Sequence, residues 1–323
     1  MWHKVYYAHT QTKSVHIKIL KKSPFLYQLL LSVWIATASG QGFAIEWNMD
    51  IELAAGYSWD NNVGLDELER ATGASDELKT LQAQASGSLQ FAKDTSLRLT
   101  AGVIDDSYLI FKKADRTTKT LGLNLETELD IVNVGINWFS ADSKLDGKQF
   151  LTYERFSPYI SGFLSKRWFL RGEYVYGEKE IESRPGRDAD IHSAAADSYV
   201  FIQGLKRYLV LGYAYRVDNS RANRYDYESH SIKIRYQQIT KIRELPVKFE
   251  LEAKLEDRKY KESDPFIKKT RKDTRARLTA QLTLSLTDRL SIALLAKNAD
   301  YHSNLPTASY SDLIVGTELR FTY

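Results

Sequence analysis

From Ile45 to the end of the chain, apolar and polar side chains alternate one by one through segment after segment. A period of two is the mark of extended strands with unlike faces, and it excludes a helical fold as firmly as any pattern can. In the first such segment Trp47, Met49, Ile51, Leu53, Ala55 and Tyr57 share one face, and Asn48, Asp50, Glu52, Gly56 and Ser58 the other. Further on, Val247, Phe249, Leu251, Ala253 and Leu255 oppose Lys248, Glu250, Glu252 and Lys254, and Ala276, Leu278, Ala280, Leu282 and Leu284 oppose Arg275, Arg277, Thr279, Gln281 and Thr283. The pattern predicts fourteen strands, at 45–58, 79–91, 96–104, 117–129, 131–139, 150–164, 168–177, 194–204, 207–216, 228–237, 246–256, 272–286, 289–298 and 310–323. Twelve or sixteen are also compatible with it.

A soluble sandwich would alternate too, so the connections decide. Long ones (59–78, 105–116, 140–149, 178–193, 217–227, 257–271, 299–309) alternate with short ones near Lys93-Asp94, Asp130, Ser165-Lys166-Arg167, Leu205-Lys206 and Thr287-Asp288. Only 238–245 is long for a turn. Short periplasmic turns alternating with longer outer loops are the habit of outer-membrane barrels, and an even strand count leaves both termini in the periplasm. Most strands reach the roughly 9 to 11 residues that cross a bilayer at a tilt, against about 5 or 6 in soluble sheets. In hydrocarbon every backbone N–H and C=O must pair within the protein, which strands achieve only by closing on themselves. The fold class is therefore all-β: a transmembrane antiparallel up-and-down β-barrel over residues 45–323.

Aromatic placement agrees, because Trp and Tyr favour the membrane–water boundary. Trp47, Trp59, Trp138 and Trp168 all fall at predicted strand ends. Tyr57, Tyr174, Tyr176, Tyr213 and Tyr215 are expected in an outer girdle, and Phe91, Tyr236, Phe321 and Tyr323 in an inner one. Pro185, Pro265 and Pro306 lie in long connections and Pro246 opens a strand, where a missing N–H costs least. Pro158 falls inside a predicted strand, and marks either a bulge or a later strand start.

Ahead of the barrel, residues 1–44 read as a signal peptide. Lys18, Lys21 and Lys22 precede the apolar run 25–38, and Gly42-Phe43-Ala44 offers small residues at the cleavage positions. These 44 residues carry five Lys and no acid; the remainder holds 40 basic against 41 acidic residues, so the formal charge of +4 implies no nucleic-acid partner. The chain has no Cys, which excludes a disulfide scaffold, a Cys-ligated metal and a lipid-modified N-terminus. A mean hydropathy of −0.40 is no argument against a membrane barrel, whose polar face cancels its apolar one.

The chain closes on Leu319-Arg320-Phe321-Thr322-Tyr323, with Leu319, Phe321 and Tyr323 on one face. This ending resembles the C-terminal signal read by the barrel-assembly machinery of bacterial outer membranes, which makes that machinery an expected partner. More narrowly, Ser165-Lys166-Arg167-Trp168-Phe169-Leu170-Arg171-Gly172-Glu173-Tyr174, Gly186-Arg187-Asp188-Ala189-Asp190-Ile191-His192 and Leu286-Thr287-Asp288-Arg289-Leu290 resemble the C-terminal barrel of the surface lipoprotein assembly modifier family, over residues 165–323. Other exporter-associated barrels that follow tetratricopeptide repeats are similar. The resemblance implies a role in surface-protein assembly, with a periplasmic helical-repeat protein as a separate partner.

If the apolar faces meet lipid and lipopolysaccharide, the lumen carries Arg98, Arg171, Arg216, Lys233, Arg235, Lys248, Lys254, Arg275, Arg277, Lys297 and Arg320, with Asp50, Glu52, Glu126, Glu128, Glu173, Glu250, Glu252 and Glu318. Acids gather early and bases late. Two outcomes follow: opposite walls of unlike sign, suited to polar or anionic solutes, or cross-strand pairs that satisfy one another. About fourteen strands lie between barrels filled by side chains and open porins, which predicts a narrow channel in a monomer. The path is expected to be constricted by inward loops or long Arg and Lys side chains, although no connection is long enough for the large folded-in loop of a trimeric general porin; the loop with Asp66, Glu67, Glu69 and Arg70 is expected as a short helix or a solvated segment. A hydrolase would have to draw on Asp105-Asp106, Asp190 and His192; Ser229, His230 and Ser231 cannot form a pair, since neighbours on a strand face opposite ways. No phosphate loop, metal-ligand cluster or cofactor fingerprint is present. The sequence thus predicts a non-enzymatic channel or export pore in a Gram-negative outer membrane, with a surface-protein assembly factor as the alternative.

Overall fold

The computed structural model describes residues 46–323; the expected signal peptide lies outside them. The strands are β1 (Glu46–Asp60), β2 (Gly64–Leu65), β3 (Arg70–Ala71), β4 (Asp76–Ala92), β5 (Thr95–Tyr108), β6 (Arg116–Leu129), β7 (Val132–Leu145), β8 (Lys148–Ser165), β9 (Trp168–Ile181), β10 (Ala189–Phe201), β11 (Arg207–Ser220), β12 (Tyr227–Ile242), β13 (Leu245–Asp264), β14 (Lys269–Ser285), β15 (Leu290–Ser303) and β16 (Tyr310–Thr322). All but β2 and β3 form one closed, antiparallel barrel in which every strand pairs with its chain neighbours. The fourteen predicted strands are these fourteen. Closure comes from β1 against β16, in register from Glu52↔Thr322 to Asp60↔Ile314. Below that ladder Ile51 and Tyr323 exchange both backbone bonds, at 3.0 and 2.8 Å, so no free edge remains at the seam. No helix among the described residues is long and apolar enough to cross a membrane; the crossing belongs to the strands.

Leu53, Leu81, Leu99, Leu121, Ile160, Leu211, Ile232, Leu294 and Leu319 stand exposed on the outer surface. Among the described residues no protein layer covers them, and a band of this kind is stable only against hydrocarbon. Tyr57, Tyr174 and Tyr213 lie exposed on the same surface, and the Trp168 indole donates to the Ser198 hydroxyl at 2.7 Å. Trp59 is next to last in β1, as the girdle requires. Trp138 differs: β7 runs on to Leu145, so Trp138 sits mid-strand between Leu123 and Phe156 in register and is only 8% exposed.

Several strands outrun their predicted ends on the outer side. β13 has 20 residues, which at roughly 3.3 Å per residue gives more length than the roughly 25 Å apolar band needs even at a steep tilt. The expected outer loop at 140–149 is mostly strand, reversed by Asp146-Gly147 with φ of 50° and 71°. Its periplasmic counterpart, the overlong 238–245, resolves into a two-residue turn at Arg243-Glu244, φ 49° and 69°. Paired positive φ values match the right-handed twist of the flanking strands. Pro158 lies inside β8, paired with Ile136 of β7, while the ladder to β9 skips Ser157 and Pro158 and resumes at Tyr159 in unchanged register. The missing N–H thus interrupts one ladder without a bulge.

Candidate functional site at the outer mouth

The lumen changes character along its axis. Near the periplasmic end Arg98 and Asp50 lie 3.7 Å apart with 56% and 65% of their side chains exposed. At the outer end Glu69, Arg271, Asp273 and Arg275 are each at most 6% exposed. Side-chain exposure in the lumen thus falls from the periplasmic end toward the outer mouth.

The first outer loop, 61–75, enters the lumen at this level. Asn62 accepts from the Gly73 amide at 2.8 Å through its side chain, and Val63 bonds Ala74 and Thr72 at 3.0 and 2.9 Å. The short ladder β2–β3 continues this hairpin, and Asp66–Leu68 form one turn of 3-10 helix at its tip. The expected short helix is there, and the loop turns inward: Val63 is 1% exposed and the tip reaches the opposite wall, while Asp66, Arg70, Thr72, Gly73 and Ser75 stay exposed. Glu69 closes the turn in the left-handed region, φ 53° and ψ 48°, its N–H bonded to the Asp66 carbonyl at 3.1 Å. That conformation costs a non-glycine residue roughly 1–2 kcal/mol, so something must hold it.

The holding is ionic. The Glu69 Oε2 accepts from Arg271 Nη1 at 2.7 Å and from Arg187 Nη1 and Nη2 at 3.1 Å. Its Oε1 accepts from Arg275 Nη2 at 2.6 Å and from the Tyr260 hydroxyl at 3.0 Å, with Arg258 Nη1 at 3.5 Å. Burial alone would push this carboxyl up; the guanidiniums of Arg271, Arg187, Arg275 and Arg258 outweigh it and hold the carboxyl well below the usual range. Asp66 takes a second set of partners, Arg277 at 3.2 Å and the Tyr301 and Tyr310 hydroxyls at 3.1 and 2.9 Å. Glu67 takes a third, Arg116 at 3.0 Å. Tyrosine rings carry the guanidiniums: Arg271 lies 4.5 Å from the Tyr260 centroid, Arg258 4.6 Å from Tyr227, Arg275 4.9 Å from Tyr301 and Arg187 4.3 Å from Tyr225.

Two cavities flank the loop. One, of about 260 Å³, lies among Lys179, Arg187, Arg216, Arg258, Arg275 and Arg277, beside the loop's acids. The other, of about 410 Å³, lies toward Ser58, Asp106, Tyr108, Lys297 and Asp312. Among the described residues no group of His, Asp or Glu has the geometry of a metal site.

Lower down, the expected lumenal charges stand on the face opposite the exposed apolar band, in local pairs. Arg171 bonds Glu173 at 3.4 Å and stacks 3.6 Å above the Tyr159 ring; Lys233 meets Asp197 at 3.0 Å and Arg235 meets Glu252 at 2.5 Å. Lys248 meets Glu250 at 2.9 Å, Lys254 meets Glu256 at 3.9 Å, and Arg320 lies between Glu318 and Glu52 at 2.5 and 3.5 Å; at the level of the loop, beside the smaller cavity, Arg216 meets Asp218 at 2.7 Å. Glu126 accepts from the Tyr159 hydroxyl at 2.7 Å, and Glu128 is exposed beside the Asp94 turn. Acids and bases therefore interleave, and local pairing replaces the transverse field. Arg275 and Arg277 alone among the predicted cations join the plug. Arg187, Arg258 and Arg271 were hidden in segments expected as loops, although Arg271, Asp273, Arg275 and Arg277 continue the period of two and signal it.

The hydrolase pieces are not assembled. β5, with Asp105 and Asp106, is separated from β10, with Asp190 and His192, by four strands. Asp106 accepts from Thr80 at 2.7 Å and Asp105 from Thr117 at 2.7 Å. His192 and His230 meet the Tyr174 and Tyr213 hydroxyls at 2.7 Å.

Similarity to known proteins fits this geometry. A loop-deleted form of OmpT, an outer-membrane protein of Vibrio cholerae, superposes with a TM-score of 0.51 at 7% identity, over 87% of this chain and 100% of that one. An anion-selective porin from Comamonas acidovorans gives 0.48 at 9% identity, over 86% and 100%, and a bacterial polysaccharide outer-membrane secretin 0.44 at 12%, over 84% and 98%. The OmpT likeness speaks for the fold alone, a closed β-barrel. No curated protein matches the sequence. The sequence model of the surface lipoprotein assembly modifier family matches residues 59–290, beginning in β1 and so reaching far ahead of the strings that first suggested it. The chain belongs to the surface lipoprotein assembly modifier family.

Proposed function

We propose that this barrel is the gated pore of a surface-protein assembly pathway in a Gram-negative outer membrane, closed by its own first loop and opened when that loop is displaced. The observation that carries the reading is the way residues 61–75 are held: a strained hairpin enters the lumen and is fixed by carboxylates in a cage of guanidiniums. A permanent constriction would be better made by packed apolar side chains, since buried ion networks add little net stability over such packing. Ionic latches instead exchange partners readily when another anion is offered. Membership of the family supplies the pathway, and the client is taken to be a lipoprotein bound for the surface.

Planar-bilayer recording tests the gate. Refolded wild-type protein is expected to stay mostly closed, and a variant with residues 62–73 replaced by a short Gly-Ser turn to conduct steadily. A wild-type protein that conducts steadily would instead favour a passive channel for polar or anionic solutes, for which the exposed ion pairs of the lower lumen are suited. The assembly role is tested in the native membrane, where loss of the gene should strand a lipoprotein on the periplasmic side; unchanged surface exposure of every lipoprotein would refute it.

A further inference from the structure

We infer that the arginine cage at the outer mouth is a recognition site for an acidic peptide segment of the client, and that residues 66–69 occupy it as an internal mimic. The inference rests on the gated-pore reading and deepens it by naming what the gate recognises.

The cage is built for peptide carboxylates, because peptide carboxylates fill it. Asp66-Glu67-Leu68-Glu69 forms a single turn that sends its three acids to three different parts of the wall. Asp66 goes to Arg277 of β14, Glu67 to Arg116 of β6, and Glu69 to Arg271 and Arg275 of β14, Arg258 of β13 and Arg187 of the β9–β10 connection. Withdrawing this turn would leave Lys179, Arg187, Arg216, Arg258, Arg275 and Arg277 around the 260 Å³ cavity, with Asp218 the one acid of the wall among its lining residues. Asp273 would still pair Arg271 and Arg275, and Glu256 would still pair Arg258, but Arg187 and Arg277 would lose the carboxylates they bond and the cage would lose a carboxylate shared by four guanidiniums. Leaving the cage is therefore favourable for the loop only in exchange for another polyanion.

The wall is also less than fully satisfied with its own loop in place. The Nε atoms of Arg275 and Arg216 are buried without a hydrogen-bond partner, and both residues line the cavity. The Arg275 side chain is 3% exposed. Unpaired buried groups are uncommon in a finished site, and the loop's own Glu67 Oε2 is unpaired beside the same cavity, so loop and wall fit each other imperfectly. A segment whose carboxylates reach these donors would fit the wall better than the loop does. The spacing it must match is also on view: carboxylates three residues apart on one tight turn, as Asp66 and Glu69 are. Free phosphate offers the charge but not the spacing.

The test is a binding comparison. A fluorescent peptide with the sequence of residues 61–74, and a neutral form carrying D66N, E67Q and E69Q, are titrated into the detergent-solubilised variant whose residues 62–73 are replaced by a Gly-Ser turn, and into wild type. Anisotropy should show the acidic peptide binding the shortened barrel at least tenfold more tightly than the neutral one, and at least tenfold more tightly than it binds wild type. Inorganic phosphate at equal charge should compete at least tenfold less well than unlabelled acidic peptide. Equal binding of the two peptides, or equal competition by phosphate, would overturn the inference and leave a generic anion site. Should the shortened barrel fail to refold, the full-length E69Q variant takes its place, with the same order of affinities expected and the same results decisive. The pore is read separately: a shortened barrel that binds acidic peptide but never conducts sinks the gate and keeps the site, whereas one that conducts without discriminating between peptides does the reverse.

Discussion

Glu69→Gln isolates the charge of the latch from its shape. The substitution keeps the side chain's size and one acceptor oxygen but removes the charge that four guanidiniums and the Tyr260 hydroxyl surround. Breaking a buried ion network by neutralising one partner costs roughly 3–5 kcal/mol, because the remaining charges stay desolvated. Asp273 remains 2.7 Å from Arg271 and 3.6 Å from Arg275, so the lower end applies. At about 1.4 kcal/mol per decade, a loss of about 3 kcal/mol moves the closed-to-open ratio about 10²-fold. Single-channel recording of refolded protein reads that ratio as open probability, and hydrogen exchange at the Val63 and Thr72 amides, bonded within the hairpin at 3.0 and 2.9 Å, reports loosening of the loop. An open probability within threefold of wild type, with amide protection unchanged, would show that Glu69 does not hold the loop.

Acidification should act on the same latch with a predictable sign. The Glu69 carboxyl is lowered from an ordinary value of 4.5 in the closed state, so its contribution is complete above about pH 4.5 and is lost only as pH falls through the lowered value. Open probability is therefore expected to stay flat from pH 8 to 5; a gate that opens across that range would place its control elsewhere. Gly135→Ala should lower the urea midpoint by an amount worth about 1–3 kcal/mol, because a Cβ there would stand 2.4 Å from the Tyr159 ring and 2.7 Å from the Leu125 carbonyl. Gly147→Ala, at φ 71°, should cost about 1 kcal/mol by the same measurement. Arg235→Ala breaks a pair that is 42% and 32% exposed, so stability should fall by less than about 1 kcal/mol, while the reversal potential of a loop-shortened pore shifts toward cations; an unshifted potential would mean that ions do not pass this wall.

How far all this was legible differs between the two halves of the barrel, for a physical reason. In the membrane-embedded half, hydrocarbon on one side and water on the other impose the strict alternation seen from Trp47 to Tyr57, so strand number and facing could be read from single residues. Beyond the membrane both faces meet polar surroundings. Asp257-Arg258-Lys259 and Arg271 then look like loop, although they are strand. The turns at Asp146-Gly147 and Arg243-Glu244 were hidden in the same way, the first despite an Asp-Gly pair that favours a two-residue reversal.

Which loop turns inward, and onto which residues, was beyond reach for a further reason. Glu69 lies 191 residues from Tyr260 and 206 from Arg275 along the chain, and no local pattern records a contact of that span. What local reading can find is an imbalance. The face shared by Arg271, Asp273, Arg275 and Arg277 holds three cations against one acid. A buried face of that composition needs acids from elsewhere, and Asp66, Glu67 and Glu69, gathered on a loop expected to be solvated, were the unassigned acids near the chain's first outer turn. Charge matching between an overcharged strand end and an acidic loop is thus a signal that strand periodicity does not carry. It points to the contact on which the proposed gate depends.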